Sequence, residues 1–411
     1  MSNLTLDQSL ALPCGVTLKN RFAKSAMSEA LGTTDNRATE GLATLYKCWA
    51  DGGTGLLISG NVMIDRHHLG EPNNVVLEDE SDIESIRRWA NAGTQNGAHL
   101  WMQLNHPGKQ TPKMLTKSSV APSAIPFKKE LRGYFNTPRE LTESEILDII
   151  QRFGRSAALA QKAGFTGVQI HGAHGYLVSQ FLSPHHNQRT DQWGGSLENR
   201  MRFVIEVYSE IRRQVGAEFP VSIKLNSADF QRGGFTEEES MQVAEKLASL
   251  GLDLLEISGG TYESPQMTGL DVRESTRQRE AYFLDYAQKI RQRVSIPLMV
   301  TGGFRTGDGM RNALSSGATD LIGLGRPLAL EPAMPNQILA GQKVESKVRP
   351  IRTGIKLVDN AAMMETMYYS YQIARMAKGK RPKPNENSRI SLIRALAIVT
   401  FRTSKTKRLR A

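Results

Sequence analysis

The chain has 411 residues, enough for one large α/β barrel with an appendage, and its 39% apolar against 23% charged content excludes both wholesale disorder and a polytopic membrane protein. Its net charge of +11 belongs to one end: residues 341–411 hold 17 Lys and Arg against 4 Asp and Glu, so the remaining body is slightly acidic and no nucleic acid partner is expected. Cys14 and Cys48 are too few for a disulfide framework, a Cys-based zinc site or an iron–sulfur cluster, which points to a reducing compartment.

The start, MSNLTLDQSLALPCG, lacks a basic segment followed by an apolar one, and no window approaches the roughly 20 apolar residues that span a bilayer, so a cytoplasmic location is expected. Eight continuous apolar runs then read as strands buried on both faces: 21–27, 55–62, 98–104, 167–171, 221–225, 252–257, 297–301 and 320–324. Amphipathic helices separate them. Thr142 with Glu145 and Thr236 with Glu239 have capping-box spacing, and Ile146, Ile149, Ile150, Phe153 and Ala157 form one stripe after the first of these. Gly164 and Gly251 stand where a helix ends before the next strand. The alternation predicts a (β/α)8 TIM barrel over 1–341, because an open doubly wound sheet would place a GxGxxG after its first strand and none is there.

Two stretches fall outside the repeat. Residues 105–141, with Pro107, Pro112, Pro122, Pro126 and Pro138, predict a long lid-like connection after the third strand. Residues 342–411 predict a helical and basic C-terminal extension: a helix over 363–376, the linker KGKRPKPNENS, then ISLIRALAIVTF with basic flanks. That last stripe suits weak contact with an anionic membrane surface, docking on the barrel, pairing in a homo-oligomer, or a solvated terminus, which is the usual outcome.

Reactive groups of such barrels sit at the carboxyl ends of the strands. By that rule 27–30, 59–61, 103–106, 171–176, 224–226, 302–305 and 325–326 converge on one mouth. TGGFR and GLGRP are Gly-rich turns whose amides, with Arg326, suit a phosphate dianion, although either alone could merely close a turn. His171 and His174 lie at i, i+3 past the fourth strand. Three readings stand: a zinc site, which lacks an HExxH pattern and a third ligand; two structural histidines; or paired N–H donors for an oxygen that gains charge, with Tyr176 as general acid. No metal is expected. His185, His186, Arg189 and Asp191 read as a structural cluster holding a loop to the rim, and His67, His68 and His106 as surface or loop histidines.

The run HGAHGYLVSQFLSPHHNQRTDQWGGSLENRMRF, together with SAMSEALG, GLLISGNV, MQLNHPG, IKLNSADF, TGGFR and GLGRP in that order, resembles the old yellow enzyme family of flavin-dependent ene-reductases from about Arg21 to Gly341. The resemblance implies FMN in the mouth, its phosphate on Gly302, Gly303, Gly325 and Arg326. It places Ala26, Met27, Ser28, Gly60 and Asn61 along the ring system, Gln103 at its pyrimidine edge and Lys224 near N1 and O2. Ser28 stands where relatives have Thr or Cys near O4, Lys224 replaces an Arg, and Ala30 occupies the place of a substrate-contacting Tyr, for which Tyr134 is a substitute. It further implies that His171 and His174 hold the carbonyl or nitro oxygen of an activated alkene, that hydride passes from flavin N5 to the β-carbon, that Tyr176 protonates the α-carbon, and that NADH or NADPH supplies the electrons. The alternatives are a dienoyl-CoA-type or general NAD(P)H:flavin oxidoreductase and, in another class, a flavin-free lyase or isomerase binding a sugar phosphate.

Overall fold

In the computed structural model, which describes residues 4–261, 263–264, 280, 283–352, 363–391 and 393–394, eight parallel strands close on themselves. They are β1 (Phe22–Lys24), β2 (Leu56–Ile58), β3 (His99–Asn105), β4 (Gly167–Gly172), β5 (Val221–Asn226), β6 (Leu254–Ser258), β7 (Leu298–Thr301) and β8 (Leu321–Leu324). Each pairs with the next, and β8 returns to β1 with Gly323 opposite Ala23, so no edge is left open. The first strand is shorter than the run 21–27 suggested, because after the Ser25 amide, which still donates to the Leu324 carbonyl, Ala26 to Ser28 leave the ladder to form the rim.

Among the described residues, seven helices of eight residues or more lie in the connections, beside the short Leu177–Leu182: α1 (Glu40–Asp51), α2 (Ile83–Gly93), α3 (Glu143–Lys162), α4 (Leu197–Val215), α5 (Glu237–Ser249), α6 (Leu284–Arg291) and α7 (Gly307–Ser315). Both capping boxes form. Thr142 accepts from the Glu145 amide at 3.3 Å and Thr236 from the Glu239 amide at 3.2 Å, with each glutamate reaching back to the threonine amide at 2.9 Å. The apolar stripe of α3 is buried as its spacing predicts.

An eighth helix, α8 (Met363–Met376), follows two short helical turns after β8. Its Tyr368, Tyr369, Ile373 and Met376 share one core cluster with Leu42, Leu45 and Trp49 of α1 and with Leu328. The packed body therefore runs past residue 341, where the sequence suggested a boundary, because α8 covers the apolar flank of α1. Most of the apolar stripe with basic flanks, and with it the expected membrane and oligomer contacts, lies outside the described residues. Among the described residues no helix is long and apolar enough to cross a membrane.

Inside the barrel, in-pointing residues pack the amino-terminal end: Ala23, Leu56, Ile58, Trp101, Leu254, Met299 and Leu321. A hairpin that the sequence reading did not anticipate, Leu10–Ala11 with Thr17–Leu18, closes this end by adding Leu10, Leu12 and Leu18 to the same cluster. Gly167 leaves room for the central ring, since a Cβ there would stand 2.5 Å from Trp101.

Candidate active site

The in-pointing positions recur every second residue, and one step above the apolar floor they change chemistry. Trp101 gives way to Gln103 on β3, Gly167 to Gln169 on β4, Leu254 to Glu256 on β6 and Met299 to Thr301 on β7. These polar groups complete one another. Gln103 Nε2 donates to Gln169 Oε1 at 2.8 Å and Gln169 Nε2 donates to Glu256 Oε2 at 2.8 Å. The other oxygen of Glu256 lies 3.0 Å from Lys224 Nζ and accepts from Thr301 Oγ1 at 2.7 Å, and Thr301 meets Ser25 Oγ at 2.8 Å. Sequence reading named Gln103 and Lys224 but missed Gln169, Glu256, Thr301 and Ser25. A signal existed: a carboxylate inside the buried strand LLEIS needs partners in the interior.

One position higher stand the histidines. His171 is register-paired with Lys224, and its Nδ1 accepts the Ala173 amide at 3.4 Å, which leaves the ring proton on Nε2. His174 has φ +62°, a conformation few non-glycine residues adopt, and is held there by its amide donating to Asn226 Oδ1 at 3.1 Å and by pairing with Thr261. Its Nε2 is 2.7 Å from Ser258 Oγ, and a hydroxyl that donates there would put the His174 proton on Nδ1. The two rings are 5.2 Å apart and nearly perpendicular, and the Tyr176 ring is 4.7 Å from His171. Burial, helped by the neighbouring His174 and Lys224, pushes His171 well below the ordinary imidazole value. Burial, helped by Lys224, brings His174 down to about 3. Both rings are therefore neutral donors at physiological pH rather than cations.

The remaining rim is largely backbone. Gly302 and Gly303 have φ of +112° and +95°, which only glycine adopts without strain and which lets the main chain approach a ligand closely. Gly325 precedes a short helix begun by Arg326. A Cβ on Gly325 would meet Met27 Sδ at 3.8 Å and one on Gly60 would meet the Met27 carbonyl oxygen at 2.6 Å, so Met27 stands between the two turns. Ala26, Met27, Ser28 and Asn61 are half-buried, and Asn61 Oδ1 faces Asn105 Nδ2 at 3.4 Å.

Several side chains have partners that the sequence did not suggest. The Ser28 hydroxyl donates to the Glu71 carboxylate. Arg326 pairs with Glu365 of α8, with Tyr369 beside it at 5.9 Å. Tyr134 is 61% exposed on the long loop. His106, expected as a surface or loop histidine, lies in the loop after β3 and is buried there, with its Nδ1 accepting the Gly108 amide at 3.1 Å. Arg189 ties the loop after β4 to the long connection through the Pro122 and Leu141 carbonyls, at 3.1 and 2.6 Å.

Among the described residues two clusters have metal-ligand spacing, Asp65–His68–His106 and His185–His186–Glu263, each with ligand atoms within 4.8 Å of one another. Neither suits a cation. The amide on His106 Nδ1 leaves the proton on Nε2, where a metal would need a lone pair, and Lys109 Nζ sits 3.0 Å from His186 Nδ1.

Comparison with known proteins agrees with this geometry. The sequence profile of the NADH:flavin oxidoreductase / NADH oxidase family matches residues 13–345. The chain is 34% identical to the NADH-dependent flavin oxidoreductase iccE of Talaromyces variabilis over 93% of its own length and 100% of that protein's. It is 37% identical over 84% of its length to iliE of Neonectria sp. (strain DH2), another NADH-dependent flavin oxidoreductase, of which it spans about half, 48%. Among solved structures, the old yellow enzyme homologue from Zymomonas mobilis superimposes with a TM-score of 0.71 at 26% identity, over 84% of this chain and 95% of that one. Morphinone reductase does so with a TM-score of 0.69 at 25% identity, over 84% of this chain and 92% of that one. A flavin-free lyase is thereby set aside: the chain belongs to the NADH:flavin oxidoreductase / NADH oxidase family, among the old yellow enzymes, whose members work with FMN and a nicotinamide reductant.

Proposed function

We propose that the chain reduces the C=C bond of α,β-unsaturated carbonyl or nitro compounds, with NADH or NADPH as the electron source. The residues present suit FMN. The Gly302–Gly303 backbone, Gly325 and the Arg326 guanidinium, of which Glu365 takes one edge, form a phosphate cradle. Met27, flanked by Ala26, Ser28, Gly60 and Asn61, offers a half-buried wall to a flat ring, and Gln103 with Lys224 offers an amide and a cation to its polar edge. When bound, FMN carries the hydride from the nicotinamide to the β-carbon of the acceptor.

The chain's own residues supply the rest. His171 Nε2–H and His174 Nδ1–H hold the substrate's oxygen, Ser258 keeps the second ring in that sense while Asn226 holds its backbone amide, and Tyr176 delivers the proton to the α-carbon. Because the rings are neutral, they donate to the oxygen without losing their protons to it, and their bonds strengthen as negative charge develops there. Such a donor is worth about 3 kcal/mol in the transition state.

The observation that carries this reading is the 5.2 Å pair of neutral imidazoles with Tyr176 beside it. The test is anaerobic nicotinamide oxidation with a panel of enones and nitroalkenes, combined with titration of a phenolic ligand into the yellow holoenzyme. His171→Ala with His174→Ala should abolish phenol binding while the visible FMN spectrum persists; phenol binding that survives overturns the oxygen-grip role.

A further inference from the structure

Glu256 is fully buried beneath the rim and receives three donors from three different strands. We infer that Glu256 is a positioning residue that sets both the charge and the hydrogen-bond sense of the surface beneath the cofactor, by neutralising Lys224 and by orienting Gln103 through Gln169. The inference rests on the placing of FMN proposed above and deepens it.

The orientation follows from the carboxylate end. An ionised carboxylate accepts and never donates, so Gln169 must turn its amide nitrogen toward Glu256 Oε2, 2.8 Å away. Its carbonyl oxygen then faces Gln103, whose amide nitrogen lies 2.8 Å from it. Gln103 is left with its carbonyl oxygen for the mouth, an acceptor toward the pyrimidine edge. Glutamine amides can rotate to suit either neighbour, but this relay is anchored at one end by a group that permits a single sense.

The charge follows from burial. Lys224 and Glu256 have side chains only 3% and 0% exposed and lie 3.0 Å apart, so water screens neither. Seen from the mouth, the lysine is one end of a neutral pair rather than a lone cation. It therefore stabilises negative charge on the reduced cofactor less than an unpaired ammonium would, and the glutamate holds the potential down.

Glu256→Gln reverses both effects. Its single carbonyl oxygen serves Lys224 and Thr301, its amide nitrogen forces Gln169 and then Gln103 to flip, and Lys224 loses its counter-charge. The midpoint potential of bound FMN, measured on holoenzyme with a native circular dichroism spectrum, should rise by a tenfold change in the ratio of reduced to oxidised cofactor. That is about 30 mV for a two-electron couple. Lys224→Met should lower it, and Glu256→Asp, which keeps the carboxylate, should stay within about threefold of the parent ratio. A potential unmoved or lowered in Glu256→Gln, while Lys224→Met shifts it, overturns the inference. A potential unmoved in Lys224→Met instead overturns the placing of the cofactor beside that lysine. Gln169→Leu is the second variant, which spares the ion pair and cuts the relay: FMN affinity should fall several-fold with the potential within about threefold of the parent ratio, and unchanged affinity overturns the relay.

Discussion

The floor and the mouth of the barrel interior come from the same strands, often two residues apart, and they respond to change by different rules. Below, Trp101, Leu254 and Met299 are held by shape, so the cost of a substitution grows with the volume removed. Above, Gln103, Gln169, Lys224, Glu256 and Thr301 are held by partnership, so removing one group strands its neighbours in a medium that offers no water. The floor gives the barrel its stability, and the mouth spends conformational ease on precision: His174 is kept at φ +62° by bonds from the end of β5 and from the loop after β6.

That contrast can be broken at either end. The largest effect is expected at the mouth, where His171→Ala with His174→Ala should reduce alkene turnover at least about 10³-fold with FMN retained and thermal stability little changed, as steady-state and melting measurements would show. Next, Trp101→Ala at the floor should cost about 3–5 kcal/mol in denaturant unfolding, while kcat/KM of the folded fraction changes by less than about threefold. A large kinetic loss there would mean that floor and mouth are not separable. Tyr176→Phe should slow alkene reduction about 10²-fold in stopped-flow experiments and leave reduction of the enzyme by nicotinamide unaffected, since no proton to carbon is needed in that half-reaction.

The smallest effect is in pH. Folded His171 and His174 stay neutral, the latter down to about 3, whereas unfolded imidazoles titrate near 6.5. Below about pH 6.5 the unfolded state thus binds protons that the folded state refuses, so stability falls as pH drops and is indifferent above. Each ring contributes up to about 1.4 kcal/mol per pH unit in that window. Urea midpoints between pH 7 and 5 should show the slope, and the double alanine variant should show less of it; equal slopes would contradict the neutral, buried state of the pair.

Much of this was legible without coordinates, and the parts that were not share a cause. The eight apolar runs, the two capping boxes and the stripe of α3 are written in spacing along the chain, because backbone hydrogen bonding within a helix and alternation along a strand are local. The strand-end rule also gathered His171, His174, Lys224, Gln103 and the glycine turns to one mouth. What escaped was partnership. Glu256 and Gln169 are 87 residues apart, Ser28 and Glu71 43, and Arg326 and Glu365 39, and nothing in their neighbours states which will meet.

The amino-acid sequence alone determined the strand and helix alternation and the residue types offered to a ligand. Only the tertiary structure decided that Lys224 is a paired charge, that His106 is buried and that α8 packs on α1. Those outcomes depend on strand register and barrel closure, which bring distant side chains within hydrogen-bond reach and exclude water around them, and neither condition exists until the whole chain has folded.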